Sequence, residues 1–231
     1  MSIVDVKVFI VEDSQVTLDV LDENIRGYLI NEMKDIFSAK FTVESTRFID
    51  SIEDEIKKRY QQSKNGKCYL SVGILDLVNF SYPSKKIGGE GGNDRVPDTA
   101  IAILKRELVP YSEKYGFKFI LVTNIFNYCR QKAIDPEFSP EEKKEINLKQ
   151  NEIRGLIDRV VKPDFLIEKG KDDCFVIDKK VNEEDHYGEG TVDAAVIKKT
   201  ENRLRLLIEE GINKYNCNFY GTACGEVKTH A

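Results

Sequence analysis

Five short apolar runs separated by amphipathic segments constrain the fold more than any other feature of this chain. Residues 6–11, 41–44, 69–77, 117–123 and 159–162 read as strands, the third apolar enough to be buried on both faces. Between them, Leu18, Leu21, Ile25, Leu29 and Met33 recur at helical spacing, with Ser14 placed to cap the start. Ile49, Ile52, Ile56 and Tyr60 mark a second helix that ends near Asn65-Gly66. Ile101, Leu104, Leu108 and Tyr111 mark a third. Ser139-Pro140-Glu141-Glu142 is a capping-box pattern, and it opens a helix that turns Ile146, Ile153 and Ile157 inward. A last helix spans about residues 191–214. Strand-helix alternation of this kind predicts an α/β fold: a doubly wound, five-stranded parallel sheet with helices on both faces.

The 231 residues carry a net charge of −5 with Lys and Arg interspersed, so no basic stripe points to nucleic acid. Five scattered cysteines and two histidines lack the spacing of a disulfide framework or a zinc site. No basic amino-terminal segment precedes an apolar core, and no stretch is long enough to span a bilayer. The expectation is a soluble cytoplasmic protein without a membrane partner. Glycine-rich residues 88–92 lack the Gly-Lys-Ser/Thr ending of a phosphate loop and read as a flexible connection.

Reactive side chains stand at four predicted strand ends. Glu12 and Asp13 follow the first, Asp76 the third, Thr123 the fourth and Lys162 the fifth. In a parallel sheet these ends share the rim where ligands bind. Taken singly, each has a bland reading: a helix cap for Glu12-Asp13, a neutral strand end for Thr123, a loop for Lys162-Pro163. An Asp inside an apolar strand is less easily dismissed, because an unpaired buried carboxylate is costly. Adjacent carboxylates repel unless a cation relieves them, and Mg²⁺ suits oxygen ligands. Asp76 is then a nucleophile toward phosphorus, Glu12 and Asp13 hold the metal, and Thr123 and Lys162 contact phosphoryl oxygens. Pro163 is expected to follow a cis bond.

This set in this order resembles the receiver domain of two-component response regulators. The matching residues are Val11-Glu12-Asp13-Ser14, Asp76 in Ile-Leu-Asp-Leu, Thr123 in Leu-Val-Thr-Asn, and Val160-Val161-Lys162-Pro163. The resemblance implies a receiver/flavodoxin-like fold, phosphotransfer from a histidine kinase or phosphotransfer protein to Asp76, and a required Mg²⁺. It also implies that the Val78 carbonyl is a further metal ligand. Residues 1–231 then form one receiver-like domain, with a core over 4–164 and the last helix at about 191–214. Insertions at about 78–98, 124–138 and 164–190 and a tail over 215–231 enlarge it. Output passes through protein contacts, and a homodimer is open to it.

The chain departs from the family pattern. The intervals between its matched residues are long, the usual turn after the nucleophile is replaced by Val78 to Pro83, and Arg159 stands where an aromatic switch residue is expected. A degenerate receiver that binds or dimerises without phosphorylation is therefore the alternative. A phosphohydrolase of the haloacid dehalogenase type wants a second Asp two residues after the nucleophile, where this chain has Val78.

Overall fold

In the computed structural model, which describes residues 3–65, 68–78, 96–160, 176–179 and 191–219, the apolar runs assemble into one sheet of five strands. β1 (Val4–Val11) lies between β2 (Ala39–Thr46) and β3 (Tyr69–Leu75). β4 (Lys118–Val122) and β5 (Val176–Ile177) continue outward, giving the order β2-β1-β3-β4-β5. Every pairing is parallel, with Val4 opposite Ala39 and Asp5 opposite Tyr69 across the two edges of β1. The chain leaves β1 toward β2 and returns on the other side for β3, the flavodoxin-like order. That reversal leaves a crevice beyond the carboxyl ends of β1 and β3.

Alternation along the strands divides the core in two. Val6, Val8, Ile10, Val72, Ile74, Ile120 and Val122 face α1 (Gln15–Tyr28) and α8 (Ala194–Phe219), which contribute Leu18, Leu21, Leu204 and Ile208. Phe9, Val11, Leu75, Phe117, Phe119 and Leu121 face the opposite layer. That layer contains α3 (Glu53–Lys64), α4 (Val96–Ile103), α5 (Val109–Tyr115), α6 (Ile125–Ile134) and α7 (Pro140–Val160). Two helical stretches contain wider π turns: Leu29–Met33 joins α1 to the short α2 (Lys34–Ile36), and Leu104–Leu108 joins α4 to α5. The helix ends follow local chemistry. Ser139 and Glu142 form the reciprocal capping box, with Ser139 N donating to Glu142 Oε2 at 2.8 Å and Glu142 N to Ser139 Oγ at 3.2 Å. Gly116 ends α5 at φ 65°, a left-handed conformation that glycine adopts without steric cost.

At the amino-terminal edge of the sheet, α3 inserts Arg59, which is buried. Its guanidinium donates to Asp5 Oδ1 at 2.9 Å, the Asp5 carbonyl at 2.7 Å, Ser71 Oγ at 3.0 Å and the Leu70 carbonyl at 3.1 Å. One side chain thereby ties β1 to β3.

Three expectations need correction. Residues 159 and 160 end α7 and are not a strand, because the period carried by Ile146, Ile153 and Ile157 continues through them. The fifth strand is Val176–Ile177, inside a stretch expected to be irregular; it completes the sheet against Leu121 and Val122. Residues 125–134 are also not irregular. They form α6, whose buried Ile125, Tyr128, Cys129 and Lys132 follow helical spacing. Ser14 takes the N-cap position of α1, but its side chain makes no capping hydrogen bond. Lys162 and Pro163, with most of the expected 78–98 and 164–190 insertions, lie outside the described residues.

Gly73 on β3 tests the packing of the second core layer. A Cβ there would lie 2.6 Å from Phe117 Cζ, and that ring is held by Phe9 and Phe119 with centroids 6.1 and 6.3 Å away. Gly73→Ala should lower unfolding stability by about 1–3 kcal/mol in urea denaturation. Phe117→Leu in the same chain should return part of the loss.

Candidate functional site

The crevice beyond β1 and β3 is where the sheet gathers its charged groups. Glu12 and Asp13 occupy the short connection from β1 to α1, and Asp76 is the first residue past β3. Backbone pairing fixes both positions: Glu12 N donates to the Thr46 carbonyl at 3.2 Å and Asp76 N to the Val11 carbonyl at 3.0 Å. The three carboxylates are buried, and each offers an oxygen within 4.8 Å of the others. Among the described residues they are the one group of at least three His, Cys, Asp or Glu side chains that could hold a metal ion.

The cation facing them is Lys179, two residues beyond β5. Its Nζ lies 2.6 Å from Asp76 Oδ2 and 2.8 Å from Glu12 Oε2, with the side chains of all three nearly inaccessible. Thr123 N donates to the Ile177 carbonyl at 2.9 Å, which sets the level at which the lysine leaves the sheet. Lys162, expected at this rim, lies outside the described residues; residues 159 and 160 belong to α7, and the lysine that meets the carboxylates here is Lys179. The missed signal was short: Cys174 to Ile177 is an apolar run bounded by acidic residues, and it precedes Asp178-Lys179.

The remaining donors are arranged around Asp76. Val78 N donates to Asp76 Oδ1 at 2.9 Å, so both carboxylate oxygens are oriented, one by the backbone and one by Lys179. Thr123 Oγ1 accepts from Leu77 N and Ile125 N, each at 3.3 Å. Both lone pairs are thereby used, so the hydroxyl's further capacity is to donate its proton. Asn124, also buried, follows Thr123 and was not singled out from the sequence. Val78 and Ile125 are fully buried in the apolar cluster.

Three carboxyl groups face a single ammonium in a low-dielectric setting, an arrangement that resists full ionisation of the three. Burial, reinforced by the Asp76 charge, pushes the Glu12 carboxyl up to about 8, although Lys179 pulls the other way. Burial opposes the charge on Lys179, but Asp76 and Glu12 outweigh it and hold its ammonium above the ordinary lysine range. Three close oxygen ligands with excess negative charge fit a hard divalent cation such as Mg²⁺. Glu12, Asp13 and Asp76 are the side chains that would hold it. No helix among the described residues is long and apolar enough to cross a membrane. No protein-family model matches the chain, and no curated protein matches it.

The raised Glu12 carboxyl predicts how stability depends on pH without metal. Between pH 4.5 and about 8 the folded chain holds a proton on Glu12 that the unfolded chain has released. The stability from that proton is full below pH 4.5 and is lost as pH rises through about 8. Denaturation in chelator across this window should give a falling contribution that Glu12→Gln abolishes; an unchanged slope in the variant would refute the assignment.

Proposed function

We propose that the chain is a phospho-accepting receiver in which Asp76 takes a phosphoryl group from a histidine kinase or phosphotransfer protein. The observation that carries this reading is the buried triad Glu12, Asp13 and Asp76 with Lys179 bridging two of its members. A nucleophilic carboxylate, neighbouring carboxylates and a lysine at adjoining strand ends are the parts that transfer to aspartate requires. Mg²⁺, when bound, neutralises charge on the transferring oxygens. The Val78 carbonyl is a further ligand on the family resemblance alone.

In this mechanism an Asp76 carboxylate oxygen forms the bond to phosphorus, and the donor imidazole nitrogen leaves with the electron pair of the bond that breaks. Val78 N and Lys179 Nζ fix the plane of the Asp76 carboxylate before transfer. Lys179 then offers its positive charge to a phosphoryl oxygen, and Thr123 donates its hydroxyl proton to another. Lys179 thus takes the role expected of Lys162, and Val176 stands three residues before it, the position of the aromatic switch that Arg159 occupies relative to Lys162. Arg159 instead lies on α7 and pairs with Glu113 at 2.7 Å. Output through protein contacts, with or without a homodimer, and a cytoplasmic setting belong to the same proposal.

Two observations favour a second reading, a degenerate receiver that acts as a phosphorylation-independent binding or dimerisation module. Lys179 already supplies an internal cation to Asp76 and Glu12, and no aromatic side chain stands at position 176.

Incubation with acetyl phosphate and Mg²⁺ separates the two. The first reading expects intact mass to rise by one phosphoryl group in wild type and not in Asp76→Asn, with chelator abolishing the gain. No gain in wild type would leave the degenerate module. Lys179→Ala should cut the phosphorylation rate by at least roughly tenfold, through loss of a charge-assisted contact. Val78 and Ile125 carry no group that could orient an attacking water, so the acyl phosphate should be long-lived. Rapid loss of label from purified protein would count against that role for the two side chains.

A further inference from the structure

The groove between α6, α7 and β5 holds a second set of polar groups, which the carboxylate pocket does not use. Its volume is about 430 Å³, in the range of small-molecule sites. Two guanidiniums line it from neighbouring helices, Arg130 on α6 and Arg154 on α7. Neither pairs with a carboxylate among the described residues. Arg130 Nη2 donates to Asn127 Oδ1 at 2.6 Å, and the Arg154 guanidinium carbon lies 4.6 Å from the centroid of the Phe126 ring. Arg26, Arg59 and Arg159, by contrast, each hold an acid, Asp22, Asp5 and Glu113. Two arginines and one acid, Asp178, line this cavity, which leaves it with one positive charge in excess although the chain as a whole is acidic.

The rest of the lining narrows the anion. Asn147 and Gln150 present amides, each able to donate and accept. Phe126 and Arg154 form a cation–π pair, and a guanidinium so placed is a surface on which a planar ring stacks. Asp178 also lines the groove; its carboxylate repels a compact polyanion and accepts from hydroxyl or amino groups. A ligand that satisfies all of these has an anionic end, a planar ring, and neutral hydrogen-bond donors between or beyond them.

We propose that this groove binds a nucleoside monophosphate, with phosphate on Arg130 and Arg154 and the base against the Arg154–Phe126 pair. Paired guanidiniums recognise phosphate oxygens through charge-assisted hydrogen bonds. Ribose hydroxyls supply the donors that Asp178 accepts. None of the lining residues belongs to the carboxylate pocket, although Asp178 adjoins Lys179 in the chain, and the proposal does not depend on phosphoryl transfer to Asp76.

Calorimetric titration of the full chain with AMP, GMP, CMP and UMP tests this, with adenosine and inorganic phosphate as separate titrants. Saturable binding of at least one nucleotide is expected, weakened roughly tenfold or more in Arg130→Gln and in Arg154→Gln. Both arginines are exposed, so the variants should keep the wild-type melting midpoint. Amide chemical shifts of the wild-type chain give a reading independent of any variant and should move along α6, α7 and β5. The proposal is overturned if no nucleotide saturates, if both variants bind undiminished, or if inorganic phosphate binds as tightly as the nucleotides.

Discussion

The ammonium of Lys179 is the contact on which the carboxyl-terminal rim of the sheet depends. It lies 2.6 Å from Asp76 and 2.8 Å from Glu12, with its own side chain inaccessible. Three carboxylates gathered at the end of a hydrophobic sheet repel one another and lose hydration, and a cation must compensate both effects. The lysine does this from β5, the outermost strand, for residues at the ends of β1 and β3. One side chain therefore spans β4 and draws the far edge of the sheet toward its centre. This explains how a strand of two residues keeps a fixed place: backbone pairing to β4 is short, and the buried ion pairs hold its end.

Arg59 does comparable work at the opposite edge. It binds Asp5 on β1 and reaches Ser71 and the Leu70 carbonyl on β3. The sheet is thus pinned at both ends by a buried cation drawn from another element, and the apolar layers fill the space between. The two cations differ in what they leave available. Arg59 spends its donors on backbone and side-chain acceptors, a closed structural arrangement. Lys179 sets a single positive charge against three carboxyl groups, and on that imbalance the proposed metal binding and chemistry at Asp76 rest.

How far the sequence could be read depends on how local each determinant is. The Ser139–Glu142 capping box formed as its spacing requires, because both hydrogen bonds lie within four residues. Glu12, Asp13, Asp76 and Thr123 were legible because each ends a long apolar strand whose period is plain. Lys179 was not, because β5 offers two residues of signal, whereas Val160-Val161-Lys162-Pro163 reads along the sequence as a strand end. The helix α6 was hidden for a related reason: it is ten residues long and its buried face includes Lys132, which a hydropathy pattern counts as polar.

The sequence by itself determined the alternation of strands and helices, and with it the parallel sheet and the three carboxylates at its rim. Those features follow from hydrophobic period and short-range hydrogen bonding, which act along the chain. Tertiary structure alone decided which lysine meets the carboxylates and which arginines share the groove beside β5. Lys179 is separated from Asp76 by 103 residues, and Arg130 and Arg154 sit on different helices. Such pairings depend on where the crossovers return the chain, and packing of whole layers settles that.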